Sequence, residues 1–217
     1  MVCMDHEVKR RTYAAAGRRG QSATKRQGII DAARDLIVER GYRATTLAAI
    51  AARAKVNVDT VYELVGRKSV LLREVIEQAI SGTDHAVVAE ERGHVIAMLA
   101  EPDPARKLAI YAHAVRQTQQ RMAPLFQALR DASSTESDAH DVWQAISERR
   151  ATNMRKLARD LRHANGLRSD LTIDEAADVL WATNSSELYV LLTIDRGWSP
   201  RHYETWLAET WRRLLLP

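Results

Sequence analysis

The chain has 217 residues, 46% hydrophobic and 28% charged, enough for a buried core in one large or two small domains and too apolar for wholesale disorder. Its single cysteine, Cys3, excludes a disulfide framework, a multi-cysteine zinc site and an iron-sulfur cluster. The formal net charge of +4 is unevenly spread: residues 1–80 carry fifteen Lys and Arg against nine Asp and Glu, and residues 81–217 carry seventeen against nineteen. A positive field over the first third suits a polyanionic partner, although a solvated basic tail gives the same composition.

The opening MVCMDHEVKRR lacks an apolar signal core, and no later stretch reaches the roughly 18 consecutive apolar residues of a membrane span. These features lead us to expect a soluble, cytoplasmic protein with no membrane partner. Nine glycines and five prolines, beside abundant Ala, Leu, Arg and Glu, predict an all-α fold.

Residues 1–21 show no helical periodicity and contain GRRG, so they read as a flexible basic arm. A first domain is expected over 22–80. Ile29, Ile30, Ala33, Leu36 and Ile37 recur at helical spacing until Arg40-Gly41, a stop signal. Thr45 and Thr46 can cap a short second helix carrying Leu47, Ile50 and Ala51. Asn57 can cap a third bearing Val61 and Leu64, and a fourth runs from about Arg67 to Ile80. A larger helical domain is expected over 81–217. Asp103-Pro104 and Ser199-Pro200 each set a capping residue before a Pro at the first helical position, and Thr172 with Glu175 fits a capping box. The spacing predicts helices over 85–100, 104–120, 122–132, 138–164, 173–195 and 199–215.

Two short helices at about 46–53 and 57–64, braced by a longer one, form an arrangement that lets the second enter the DNA major groove. The stretch IIDAARDLIVERGYRATTLAAIAARAKVNVDTVYELVGRKSVLL, ending at Leu72, resembles the DNA-binding domain of TetR family transcriptional regulators. It carries that family's Gly-Tyr, Thr, Ile-Ala, Ala-x-Val, Thr-x-Tyr and Lys-x-x-Leu in order. Three positions depart from the pattern: Lys55 stands where Gly is common, Val65 replaces Phe, and Arg67 replaces a small capping residue.

The resemblance places Thr46, Tyr62 and Lys68 against phosphates of a double-stranded operator, with Arg67 a further cation there. It turns Asn57, Val58, Asp59 and Thr60 toward base edges, where Val58 can meet a thymine methyl and Asp59 can accept from cytosine N4. Asn57 can equally be only a cap, and Asp59 can simply answer the helix dipole.

In the second domain, helix 138–164 sets Arg150 and Asn153 on a stripe with Trp143, Ile146, Met154, Leu157 and Leu161. Helix 173–195 sets Asn184 and Ser185 on a stripe with Ala177, Trp181 and Leu188, with Glu187 one position off. Such polar groups need partners, water or a ligand, since burying them unpaired costs about 1–3 kcal/mol each. The resemblance implies a small-molecule effector pocket here, with Tyr111, Phe126 and Trp143 as aromatic walls beside Arg150, Asn153, Trp181, Asn184 and Glu187. A structural network between helices is the alternative. Tyr203, Trp206, Leu207, Thr210, Trp211 and Leu214 make a broad apolar stripe on the last helix, which can close a core. The resemblance implies instead that it builds a homodimer interface.

Enzyme readings find little support. Glu91-Arg-Gly-His94 has the Glu-x-x-His spacing of di-iron bundles but no second copy, and no H-E-x-x-H, G-x-S-x-G or phosphate-cradling Gly loop occurs. Cys3 reads as an incidental thiol. No cofactor, metal or catalytic set is expected. The expected function is a homodimeric, ligand-responsive repressor released from a pseudo-palindromic operator by a small molecule. Its rivals are a DNA-binding dimer without an effector pocket and, more distantly, a helical enzyme or metal protein.

Overall fold

The computed structural model describes the backbone of residues 3–217 and the side chains of residues 20–217. The backbone of residues 3–21, expected to form a flexible arm, is helical and continues into the first helix, while the side chains up to residue 19 lie outside the described residues. The fold is all-α: ten α-helices and no strand occur among the described residues. Two compact units, residues 1–75 and 76–217, divide the chain. The division falls inside a helix rather than after residue 80, with Leu71, Leu72 and Val75 in the first unit and Ile76 and Ala79 in the second.

In the first unit, α1 (Cys3–Ala44) buries Ile29, Ile30, Ala33, Leu36 and Ile37, the positions expected from their spacing. Gly41 interrupts it at φ 78° and ψ 164°, conformational space that a Cβ disfavours. Thr45 donates to the freed Gly41 carbonyl at 2.8 Å, and Thr46 caps α2 (Leu47–Ala54) by accepting from the Ala49 N–H. Helix α3 (Val58–Leu64) seals the core with Val61, and α4 (Lys68–Ser81) adds Leu71 and Leu72. An ion pair between Arg26 and Glu74 at 2.8 Å ties α1 to α4 within this unit.

The second unit starts less regularly than expected. Gly82, at φ 75°, ends α4, and Ser81, Thr83 and Gln78 donate side-chain hydrogen bonds to the carbonyls of His85 and Asp84. These local bonds compete with helix formation, so the helix expected over 85–100 shrinks to a 3₁₀ turn at Ala89–Glu91 and α5 (Gly93–Ala100). The two helices expected over 104–132 are one, α6 (Pro104–Ser133), which runs through Pro124. Asp103 caps it at 2.9 Å.

Helix α7 (Ser137–His163) packs on α6 and on α8 (Ile173–Thr183), and the Thr172–Glu175 capping box starts α8 as expected. The single helix expected over 173–195 is broken at Asn184. There Ser185 caps a new short helix, α9 (Ser186–Val190), followed by a π turn at Leu191–Asp195. Asn and Ser side chains offer the backbone alternatives to a continuing helix, and here both are used. Helix α10 (Pro200–Leu215), capped by Ser199, lies along α6. The core joins Leu108, Ala112, Leu157, Leu161, Leu180 and Leu207 with the large rings of Tyr203 and Trp211.

That last pair corrects one expectation. Tyr203, Leu207 and Trp211 are 0% exposed within the single chain, so they close this unit's own core and do not reach a partner. Trp211 donates to the Thr183 hydroxyl at 2.6 Å, Tyr203 donates to the Thr183 carbonyl at 3.3 Å, and Tyr111 stacks on the Trp211 ring. Trp206 and Thr210 are half-buried and Leu214 is exposed, on the other flank of α10. Trp206 meets Trp198 edge to face, and Leu191 and Ile194 of the π turn are exposed apolar side chains.

Candidate functional site

The first unit presents a helix-turn-helix. Lys55 ends α2 at φ 56° and ψ 43°, and its N–H and that of Val56 return to carbonyls of α2. The turn then delivers Asn57 as the N-terminal residue of α3, with its side chain making no capping bond. Asp59 is exposed in the first turn of α3, flanked by half-buried Val58 and Thr60. Tyr62 is 55% exposed, an unusual position for so large a ring. Lys68 stands at the first residue of α4 with its ammonium 4.0 Å from the centre of the Tyr42 ring, and Arg67 before it is exposed. Thr46 is exposed at the start of α2, its hydroxyl oxygen accepting the capping bond.

The second unit holds a cavity of about 120 Å³ among α5, α6, α7 and the break after α8. Four expected residues line it: Tyr111, Arg150, Asn153 and Asn184. Asn184, 8% exposed, donates to the Tyr111 hydroxyl at 2.9 Å, while its backbone carbonyl, freed where α8 ends, accepts from Arg150 at 3.3 Å. Gln119 takes a hydrogen bond from Ser186 at 2.6 Å. The polar groups thus form a bonded network that also faces a cavity, so the two readings of these residues are compatible. Burial pushes the Tyr111 phenol far above its usual range, so it remains protonated.

The other four expected residues do not line this cavity. Phe126 and Trp143 pack on each other with ring centres 4.8 Å apart. Trp181 donates to the Ser147 carbonyl and lies under the Arg150 guanidinium at 4.5 Å, so it holds Arg150 in place. Glu187 has one buried carboxylate oxygen without a hydrogen-bond partner, and its charge attracts Arg150. Reading apolar stripes missed Arg92, His94, Thr118, Gln119 and Arg149. Arg92 lies in an irregular stretch and His94 in the first turn of α5 just after it, while Arg149 sits next to a chosen residue and off its stripe.

The cavity adjoins the end of α4. Ile80 is one of its lining residues, Arg149 pairs with Glu77 at 2.8 Å, and Arg121 donates to the Ala79 carbonyl at 2.8 Å. A Cβ on Gly82 would sit 3.0 Å from the Arg121 guanidinium, so glycine keeps that cap in place.

The model of the family described as bacterial regulatory proteins, tetR family, matches residues 29–75, from the buried Ile29 of α1 to the buried Val75 of α4. Over residues 29–75 the chain is therefore similar to the N-terminal domain of that family. Solved structures of similar fold cover nearly all of it. NalD of Pseudomonas aeruginosa, described as the secondary repressor of the MexAB-OprM multidrug efflux pump, aligns with a TM-score of 0.69 at 23% identity, over 90% of this chain and 98% of NalD. A Saccharomonospora viridis protein in complex with choline aligns at 0.66 and 19% identity, over 88% and 97%. The fatty acid degradation regulator FadR of Bacillus halodurans aligns at 0.66 and 16%, over 86% and 94%. At these identities the likeness is one of fold. No curated protein matches the chain in sequence.

Among the departures from that family's pattern, Lys55 is the most informative. It adopts the left-handed conformation that a glycine would take without strain, so the turn keeps its geometry and gains an exposed cation. Val65 and Arg67 leave α3 and the start of α4 in place.

Proposed function

We propose that the protein is a homodimeric transcription regulator that binds a pseudo-palindromic double-stranded DNA operator and is released from it by a small molecule, and so acts as a repressor. The observation that carries this reading is the uncommitted first turn of α3, with Asn57 free of capping duty and Tyr62 standing 55% exposed. Asn57, Val58, Asp59 and Thr60 would meet base edges. Thr46, Tyr62, Arg67, Lys68 and Lys55 would meet phosphates.

The cavity beside the end of α4 favours an effector over a purely structural second domain. A helix that begins in the DNA-binding unit and ends against the lining can carry a bias from one site to the other. Such coupling is reciprocal, so a molecule that weakens operator binding binds the operator complex less tightly in turn. The choline complex and the repressor description among proteins of similar fold support the same reading. The dimer would use Trp206, Thr210 and Leu214 with Trp198 and the exposed Leu191 and Ile194. None of the described helices is long and apolar enough to cross a membrane, and work on DNA fits the cytoplasm.

Lys68→Ala and Tyr62→Phe test the phosphate assignments, with binding to selected operator and to random duplex measured over a range of salt concentrations. Both should weaken binding to the two DNAs by similar factors, and Lys68→Ala should lower the salt slope by about 1 per half-site. An unchanged slope with altered base preference would reject the assignment.

A further inference from the structure

The lining of the cavity is one-sided in charge. It contains Arg92, Arg149 and Arg150 with His94, and no aspartate or glutamate. Burying a guanidinium is costly unless an opposite charge or full hydrogen bonding compensates, so the partner of each arginine matters. Arg149 has Glu77. Arg150 has the Asn184 carbonyl and the Trp181 face, with Glu187 attracting it from outside the lining, yet its Nε is buried with no hydrogen-bond partner. Arg92 donates twice to one neutral acceptor, the Val87 carbonyl, at 3.1 and 2.9 Å. Glu90 is paired with Lys156. Burial lowers the pKa of both Arg92 and Arg150, the sign of cations short of compensation, and burial with Arg92 and Arg121 lowers that of His94, which favours its neutral form. Arginine stays charged under all physiological conditions. Glu77 and Glu90 also attract Arg92, but they are held by Arg149 and Lys156, so one positive charge remains without a carboxylate of its own.

Apart from neutral polar side chains such as Gln119, Asn153 and Asn184, the rest of the lining is apolar, with Ile80, Ala114, Val115, Met122, Ile146 and Met154. A second cavity of about 120 Å³ shares Arg92, His94, Tyr111, Asn153 and Met154 with the first, and adds Val95, Met98, Leu99 and Leu157 beside Ala89 and the Glu90–Lys156 ion pair.

We propose that the effector is a small amphiphilic monocarboxylate, its carboxylate held by Arg92 and Arg150 and its apolar body directed along Met154 toward Val95, Met98 and Leu157. This rests on reading the cavity as the effector site. The carboxylate supplies the acceptor that Arg150 Nε lacks and the negative charge that Arg92 lacks. Its approach to the same lining competes with Glu77 for Arg149, which gives the ligand a physical hold on the last turns of α4.

The test is calorimetric titration of the full chain with hexanoate and benzoate, beside hexanamide, hexylamine and inorganic phosphate. The two carboxylates should bind, the amide should bind about tenfold or more weakly, and the amine and phosphate should show no heat of binding. Arg92→Gln and Arg150→Gln should each weaken hexanoate about tenfold or more, with thermal unfolding as the control for folding. If either variant fails to fold, the ranking of the five probes on the unchanged protein still decides. Hexanamide or hexylamine binding as well as hexanoate would overturn the anion assignment while leaving the cavity an effector site. Phosphate binding as tightly as hexanoate would overturn the amphiphile. No binding by any of the five would overturn the proposal and count against the effector reading as well.

Discussion

Arg149 on α7 holds Glu77 on α4 at 2.8 Å, and the same arginine lines the cavity of the second unit. Glu77 is the better buried of the two, with 18% of its side chain exposed against 43% for Arg149. The pair joins the proposed effector site to the helix that begins in the first unit, with Arg121 on the Ala79 carbonyl as a second tie. A ligand can shift an equilibrium only through contacts that differ between its states, and in the proposed release this ion pair would be such a contact.

Glu77→Gln should therefore lower stability by no more than about 1 kcal/mol, as expected for a partly exposed pair. It should also shrink the ratio of operator affinities measured without and with hexanoate, because the contact that the ligand disturbs is already gone. Fluorescence anisotropy on the selected operator, with thermal unfolding as control, checks both. A full wild-type ratio in the variant would remove Glu77 from the coupling.

The sequence is most legible where a residue type has one physical use. Gly41 ends regular helix, Asp103, Thr172 and Ser199 cap helices, and Ile29 to Ile37 keep a buried face, all as their spacing predicts. It is less legible where side chains have several uses. Asn184 and Ser185 suit a helical stripe but break it by bonding elsewhere. Tyr203 and Trp211 suit an interface or a core equally, and only their complete burial under α6 and α8 decides. Arg92 belongs to no periodic element, so nothing in the local pattern points it into a cavity.

The split along α10 makes a sharp contrast between two tryptophans. Trp211→Ala removes a wholly buried ring together with the hydrogen bond that it donates to the Thr183 hydroxyl, and should cost about 3–5 kcal/mol. Trp206→Arg alters a half-buried ring on the proposed dimer face and should split the dimer while the monomer remains folded. Sedimentation and thermal unfolding of both variants separate the outcomes. A dimer that survives Trp206→Arg with unchanged affinity would move the interface elsewhere.

Asn184 is both lining and structure. Asn184→Leu leaves the Tyr111 hydroxyl without its donor and Gln119 without an acceptor, so stability should fall by about 1–3 kcal/mol. Operator affinity, which depends on the other unit, should stay within about twofold of the original in conditions where the variant is folded. A variant of unchanged stability would mean that the Asn184 side-chain bonds contribute nothing net.

His94 gives the cavity a pH signature. Burial first, then the charges of Arg92 and Arg121, lowers its pKa below the ordinary 6.5, so the folded protein favours the neutral ring. The sign follows from linkage: as pH falls through about 6.5 the unfolded chain binds a proton at this position and the folded chain does not, so stability declines until the folded value is reached. Above that window the residue contributes no pH dependence. Carboxylates contribute slopes of their own at lower pH, so the observable is the difference between wild type and His94→Gln. Their unfolding midpoints should differ by a constant above about pH 7 and converge or cross as the pH drops below about 6.5, since only the wild type loses stability through His94. A bound carboxylate should lessen the effect, because a negative charge beside the ring favours its protonated form in the folded state. Parallel curves for the two proteins from neutral to mildly acid pH would show that His94 titrates as it does in the unfolded chain, and that the cavity exerts no positive field on it.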